Sequence, residues 1–159
     1  MVAKDGESKS VMASMVPVKG MSHEFPARRL VAFIKELGME HCDLVIKHDQ
    51  EPALVDLMKE VARKRIPAKT LNEESPVGSS ASNGKIERGV QTVEGHIRVL
   101  KSALEERVGR VRGDHCVVSW LVEFAAVLVN RYEVGHDGKT NYERLRGKAS
   151  KLLGLEFCE

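Results

Sequence analysis

Two acidic residues, Asp49 and Glu87, lie at positions where carboxylates commonly bind ligands or take part in catalysis. Asp49 follows the apolar run Leu44–Lys47, which is typical of a buried strand, and ligand-binding groups gather at the carboxyl ends of strands in α/β sheets. Glu87 lies near the start of a predicted long helix. The 37 residues from 50 to 86 are enough for a helix, a strand and a loop that return Glu87 to the edge carrying Asp49. Two carboxylates held together repel unless a divalent cation lies between them, and their oxygens suit Mg²⁺ or Mn²⁺.

Each of these acids also has an ordinary structural explanation. Aspartate is a good N-cap residue, so Asp49 can simply form the turn before a helix that begins at Glu51-Pro52. The partial positive charge at a helix N-terminus favours glutamate in the first turn, so Glu87 can be part of an ordinary helix start. The residues alone leave both explanations open.

The elements predicted around Asp49 alternate between strands and helices. In chain order they are a hairpin over Met1–Val18, a helix from Phe25 that Gly38 ends, a strand over Leu44–Lys47, a helix from Glu51-Pro52 and a strand over Ile66–Leu71. This alternation predicts an α/β arrangement.

The second half of the chain is predicted to hold a loop, two helices and a polar tail with glycine turns. Asn72–Ser82 has no periodicity and predicts a loop, and a long amphipathic helix is predicted from Asn83-Gly84. The apolar stripe of that helix comprises Ile86, Val90, Val93, Ile97, Leu100, Leu104 and Val108. Cys116–Val129 predicts a buried helix whose Trp120 is expected in the core rather than at an interface. The domain prediction is a core over 1–129 and a tail segment over 130–159.

Composition describes an ordinary globular chain without a strong global charge. The 159 residues are 42% hydrophobic and 30% charged, with a net charge of +2 and a pI near 8.4, so any basic surface for nucleic acid must be local. The three cysteines, Cys42, Cys116 and Cys158, form no CxxC pair, which argues against a disulfide framework or a structural zinc site and favours a reducing compartment. The polar N-terminus shows no secretory signal, and Cys116–Val129 is too short to span a bilayer.

Several segments, taken in order, resemble the catalytic cores of retroviral and retrotransposon integrases. The run IKHDQEPA at 46–53 resembles their second-aspartate strand, and SPVG at 75–78 followed by SNGKIER at 82–88 resembles their loop and glutamate helix. Asn130-Arg131, GKT at 138–140 and YERLRG at 142–147 resemble the segment that follows the core in copia-type polyproteins. The order and spacing of these segments are more specific than any one of them.

This resemblance implies a ribonuclease-H-like fold, a mixed sheet flanked by helices, and Mg²⁺- or Mn²⁺-dependent cutting and joining of DNA. It implies that Asp49 and Glu87 bind metal and are catalytic, and that Asn83 and Gly84 shape the turn into the helix. Lys85 and Arg88 are then candidates for phosphate contact, which gives affinity without sequence information. Oligomerisation, an intracellular location in the cytoplasm and nucleus, and the absence of a membrane partner also follow from the resemblance.

Two features depart from the family pattern. Asn141 stands after Thr140, where the family often has proline. The family's first catalytic aspartate lies on a strand upstream of the hairpin at Met1–Val18, and Asp5, in the hairpin turn, does not match it. The expectation is therefore a truncated core without its first strand, which carries two of three catalytic acids and is inactive or nearly so on its own.

The competing interpretation is a nucleic-acid-binding or assembly module of the same fold without catalysis. Basic residues interleave on the polar side of the long helix and continue beyond it: Lys85, Arg88, Arg98, Lys101, Arg107, Arg110 and Arg112. Glu94, Glu105 and Glu106 dilute this charge, so the same pattern also fits an ordinary solvated face. A ribonuclease H of the same fold is a further alternative that the 83–88 segment and the tail fit less well.

Overall fold

The computed structural model describes residues 1–16, 24–75, 80–151 and 157, except for the side chains of residues 80–83 and 85. Its elements are β1 Val2–Lys4, β2 Val11–Ala13, α1 Phe25–Glu36, β3 Leu44–His48, α2 Pro52–Lys64, β4 Thr70–Glu74, α3 Ser80–Val108, α4 Val117–Tyr132 and α5 Asn141–Arg146. The chain forms two compact units, one of Met1–Met15 with Ile86–Glu159 and one of Val16–Lys85. One antiparallel and one parallel strand pair, with helices, give the mixed α/β class that the sequence predicted.

In the Val16–Lys85 unit, β3, α2 and β4 form a strand–helix–strand unit with parallel strands. Leu44 pairs with Thr70 at one end and His48 with Glu74 at the other. Pro52, with its fixed φ, occupies the first turn of α2, where its missing N–H costs nothing. Burial alternates along β3 and Val45 is 57% exposed, so the prediction of a fully buried strand was wrong.

The helix α1 packs against α2 through an apolar face. It begins with Pro26 in its first turn and ends before Gly38, which adopts a φ of 79° that glycine tolerates well, as predicted. The buried apolar residues of the two helices are Ala27, Leu30, Phe33 and Ile34 on α1 and Leu57, Met58 and Val61 on α2. Their removal from water is the main stabilising contribution within this unit.

The strand β4 starts later than predicted. The residues Ile66 and Pro67 form a turn after α2 with a cis peptide bond, and the N–H of Ala68 donates to the carbonyl of Arg65. Because Pro67 has no N–H for a ladder, pairing begins only at Thr70 and runs to Glu74. The predicted strand over Ile66–Leu71 is therefore displaced, and the first residues of the predicted loop belong to β4.

The N-terminal hairpin of the other unit forms as predicted. Val2 pairs with Ala13 and Lys4 with Val11, and the carboxylate of Asp5 accepts a hydrogen bond from the backbone N–H of Ser8 across the turn. The second strand ends at Ala13 rather than continuing to Val18, whose position lies outside the described residues. The β2 residues Val11 and Ala13 enter a core with Val93, Ala125, Ala126 and Val129.

The long helix α3 begins earlier than predicted, at Ser80. Asn83 and Gly84 therefore lie within the helix instead of shaping a turn before it, and Glu87 lies beyond the first turn. The argument that the N-terminal dipole favours Glu87 was wrong, because that field falls off within the first turn. The predicted stripe is buried at Val93 and Leu104, but Val108 is 66% exposed.

The helix α4 buries only one side. Leu121, Ala125, Ala126 and Val129 are buried, whereas Trp120 is 72% exposed. The expectation that Trp120 lies in the core was therefore wrong, since a helix packed on one side leaves its other residues facing solvent. Among the residues in view, no helix has the length and apolarity needed to cross a membrane.

The short helix α5, which the sequence analysis did not predict, has both an N-terminal and a C-terminal cap. Thr140 and Glu143 form a reciprocal capping box, and Gly147 ends the helix with a φ of 70°. The carboxylate of Asp137 accepts hydrogen bonds from the Arg144 guanidinium, which holds the pKa of Asp137 well below its usual range. Residue 129 lies inside α4, and the predicted division between 1–129 and 130–159 stays a prediction.

Candidate metal and nucleic-acid site

Asp49 is placed by the parallel strand pair of its unit. It follows the last residue of β3, His48, and the backbone N–H of Ser75, just after β4, donates to the His48 carbonyl at 2.9 Å. The carboxyl ends of both strands therefore lie side by side, and Asp49 is exposed at that edge. This is the position at which α/β sheets bind ligands, as the sequence predicted for Asp49.

A buried histidine supports the backbone at this edge. His48 is 9% exposed, and its Nδ1 lies 2.8 Å from the carbonyl oxygen of Asp49. Nδ1 carries the proton in this contact because a carbonyl oxygen can only accept. The hydrogen bond fixes the peptide that follows Asp49. Sequence reasoning did not single out His48, and its only signal was its position at the end of a strand.

Glu87 belongs to the other unit. Both it and the next residue, Arg88, are exposed on α3. The side chains of Asn83 and Lys85, two further predicted site residues, lie outside the described part of the chain. The pairing of Asp49 with Glu87 stays a prediction.

The carboxylates of Asp49 and Glu87 supply the kind of ligand that a hard divalent cation needs, since Mg²⁺ and Mn²⁺ prefer oxygen ligands. Within 1–16, 24–75, 80–151 and 157, no three His, Cys, Asp or Glu side chains form a group that could hold a metal ion. A metal at Asp49 would therefore need a further ligand from elsewhere.

The predicted basic residues of α3 differ in how much of their charge is offset. The Lys101 ammonium lies 2.5 Å from Glu105, and this hydrogen bond lowers the pKa of Glu105. The Arg98 guanidinium is exposed and donates to the carbonyl of Glu94 one turn earlier. Arg88 has no carboxylate within 4 Å among the residues that the structure describes. Arg98 also has no carboxylate within 4 Å in this part of the chain, so Arg88 and Arg98 are the two predicted DNA contacts whose charge no described carboxylate offsets.

The positive charge of the segment that follows α3 is partly neutralised, which the sequence pattern did not indicate. Arg112 makes two hydrogen bonds to Asp114, at 3.0 and 2.6 Å, and these lower the pKa of the Asp114 carboxyl. The 107–112 segment is therefore less basic in its electrostatic effect than its arginine content implies.

Comparison with solved structures identifies the fold. A chain of the simian T-cell lymphotropic virus intasome, solved in complex with the PP2A regulatory subunit B56 gamma, matches 97% of this chain with a TM-score of 0.68 and 17% sequence identity. The catalytic core domain of BIV integrase matches 91% of this chain with a TM-score of 0.56 and 19% identity, and 82% of that domain is covered. The chain has the fold of a retroviral integrase catalytic core. The expected ribonuclease-H-like fold is confirmed.

The similarity is one of structure, since the sequence identities are only 17% and 19%. This chain spans 49% of the matched intasome chain, or about half its length. No protein-family model matches the sequence. No curated protein matches it either.

Proposed function

We propose that this chain is part of a retroelement integrase core, of the copia type, that binds DNA and contributes Asp49 and Glu87 to a Mg²⁺- or Mn²⁺-dependent centre for cutting and joining DNA. The observation that supports the proposal most is the integrase-core fold over nearly the whole chain, with Asp49 directly after β3. The copia assignment rests on the tail segments at 130–131 and 138–147.

The residues of this chain have distinct tasks under this proposal. Bound divalent metal would supply electrostatic stabilisation of the phosphoryl group under attack. Asp49 and Glu87 would hold that metal through carboxylate oxygens, and His48 would fix the backbone beside Asp49 by its 2.8 Å hydrogen bond. Arg88 would contact the DNA phosphates next to Glu87. We also propose an intracellular location, cytoplasm and nucleus, with which the free thiols of Cys42 and Cys116 agree.

Metal binding tests the proposal directly. We expect the Asp49→Asn, Glu87→Gln double variant to bind Mg²⁺ or Mn²⁺ at least about 100-fold more weakly than the unchanged chain, because losing even an outer-shell partner of a metal ligand costs about 10–100-fold. Titration calorimetry measures both proteins.

The matched control is the Asp56→Asn, Glu94→Gln double variant, which removes one exposed carboxylate from each of the same two units. It should bind metal like the unchanged chain. Equal binding by the Asp49/Glu87 variant, or no binding by any of the proteins, would refute the metal centre.

The second candidate function is DNA binding without catalysis. The exposed Arg88, which has no carboxylate within 4 Å among the described residues, favours it. The two candidates depend on different residues. Catalysis requires Asp49 and Glu87, whereas electrostatic binding requires Arg88 and its basic neighbours. An Arg88→Gln variant that loses DNA binding in a chain with no metal site would support the module without catalysis.

Self-association is a further part of the proposed function. One solved neighbour is an intasome, and here the exposed Trp120 of α4 supplies the kind of aromatic anchor that interfaces favour. We expect Trp120→Ser to weaken a dimer of this chain by about 2 kcal/mol or more, a typical hot-spot cost, as measured by sedimentation equilibrium. Leu71→Ser, at an apolar residue that is also 65% exposed, is the control and should leave association unchanged. A Trp120→Ser dimer of unchanged strength would place the interface elsewhere.

A further inference from the structure

A buried glycine in α3 makes room for a lysine from the N-terminal hairpin. A Cβ built at Gly89 would lie 3.3 Å from Cδ of Lys4 and 3.9 Å from its Nζ. The stem of Lys4 therefore lies directly on α3 at Gly89, and its ammonium reaches the helix surface beside Arg88. A methyl group at residue 89 would make the Lys4 stem shift by a few tenths of an ångström, and a larger side chain would move it further.

Three cations and one carboxylate act on the ammonium of Lys4. Burial lowers the pKa of Lys4 most, Glu133 opposes this, and Lys9, Arg144 and Arg88 lower it further. Two of these cations are occupied elsewhere, since Arg144 makes hydrogen bonds to Asp137 and Lys9 donates to the Gly6 carbonyl.

Lys4 and Arg88 are less well compensated. Neither has a carboxylate within 4 Å in the described part of the chain, although Glu133 is the largest single charge that acts on the Lys4 ammonium. Two neighbouring cations repel, and an anion that accepts hydrogen bonds from both removes that repulsion. A phosphate group suits this role because it presents several acceptor oxygens, and both lysine and arginine bind phosphate well.

We propose that Lys4 and Arg88 together hold one backbone phosphate of DNA, with Gly89 providing the space that positions Lys4. This proposal rests on the proposed DNA binding and adds a residue from β1 to the contacts of α3. The packing of Lys4 on the helix restricts its stem, so less side-chain freedom remains to be lost on binding than for a lysine in solvent.

Two variants remove this contact in different ways. Lys4→Met keeps the apolar stem on Gly89 but removes the charge, whereas Gly89→Leu keeps every charge but displaces the Lys4 side chain. Gly95→Leu is the matched control, because it makes the same change six residues later in α3, where a Cβ meets nothing within 4 Å. Circular dichroism establishes that each variant is folded.

The readout is duplex DNA binding by fluorescence anisotropy between about 50 and 200 mM salt. We expect both Lys4→Met and Gly89→Leu to bind about three- to tenfold more weakly and to reduce the slope of log K against log salt by about one, the value for one lost phosphate contact. Gly95→Leu should match the unchanged chain. Unchanged affinity and slope in Lys4→Met would overturn the phosphate site while DNA binding itself stands.

A titration with inorganic tripolyphosphate separates this proposal from the proposed function. If the unchanged chain does not bind DNA, the proposed function fails, and the phosphate site is then decided by NMR. In the unchanged chain, tripolyphosphate would shift the signals of the Gly89 amide and the Lys4 side chain in a saturable way. If the Gly89 shift is lost in Lys4→Met, the site binds polyphosphate but does not serve DNA. Absence of those shifts together with absence of DNA binding would overturn both proposals.

Discussion

Replacing Asn130 with alanine is expected to lower the free energy of unfolding by about 2–4 kcal/mol. The side-chain amide of Asn130 donates to the carbonyl of Val11 at 2.7 Å, and its oxygen accepts from the Val11 N–H at 2.8 Å. Val11 is 3% exposed, so alanine leaves two buried backbone groups without partners, each costing about 1–3 kcal/mol. Urea unfolding followed by circular dichroism measures the change.

The Asn130→Asp variant tests whether the hydrogen bond that Asn130 donates is needed. Aspartate keeps the oxygen that accepts from the Val11 N–H but places a second acceptor against the Val11 carbonyl, so it should also destabilise the fold despite its similar shape. Asn72→Ala, at an exposed residue of β4, is the control and should change stability little. If Asn130→Ala were as stable as Asn72→Ala, the contact between α4 and β2 would not contribute to stability.

The sequence predicted the elements that are bounded by strong local signals. Pro26 and Gly38 delimit α1, and Pro52 begins α2, because proline and glycine act through the backbone whatever the surroundings. The hairpin at the N-terminus also formed where its turn residues placed it. The position of Asp49 followed from the topology, since the carboxyl ends of parallel strands meet at one edge.

The errors arose where packing outweighs local preference. The serine-rich start of α3 has weak helix propensity, yet the helix extends back to Ser80, which moves Glu87 out of the first turn. Trp120 is a large, mainly apolar residue of the kind often found in cores, but the buried face of its helix is the opposite one. Periodicity identifies a face without identifying what covers it.

The contacts that carry the Asn130 stability prediction and the proposed phosphate site join residues far apart in sequence. The bond between Asn130 and Val11 spans 119 positions, and Lys4 meets α3 at Gly89. A single sequence has no signal for such pairs except an unexplained glycine within a helical pattern, which can mark close approach. The candidate acids could be named from the sequence, whereas the residues that support them and bind beside them required the structure.

Replacing Arg65 with methionine is expected to destabilise the Val16–Lys85 unit by about 3 kcal/mol or more. Arg65 is 5% exposed at the end of α2, and its guanidinium donates to the carbonyls of Met39 at 3.1 Å and Cys42 at 2.6 Å and to the Thr70 hydroxyl. One side chain thus joins α2, the turn after α1 and the start of β4. Hydrogen bonds to charged groups contribute about 1.5–3 kcal/mol each, and methionine replaces only the apolar stem.

Two further variants determine whether the guanidinium itself is responsible. Arg63→Met changes an exposed arginine two residues earlier, whose ion pair with Glu60 is solvent-screened, and it should have little effect. Arg65→Lys keeps the charge but lacks the planar fork that reaches several acceptors at once, so it should recover less than half of the loss. Equal stability of Arg65→Met and Arg63→Met in urea unfolding would show that the buried fork does not hold these elements together. A full recovery by Arg65→Lys would assign the effect to charge at the C-terminus of α2, where the helix dipole favours any cation.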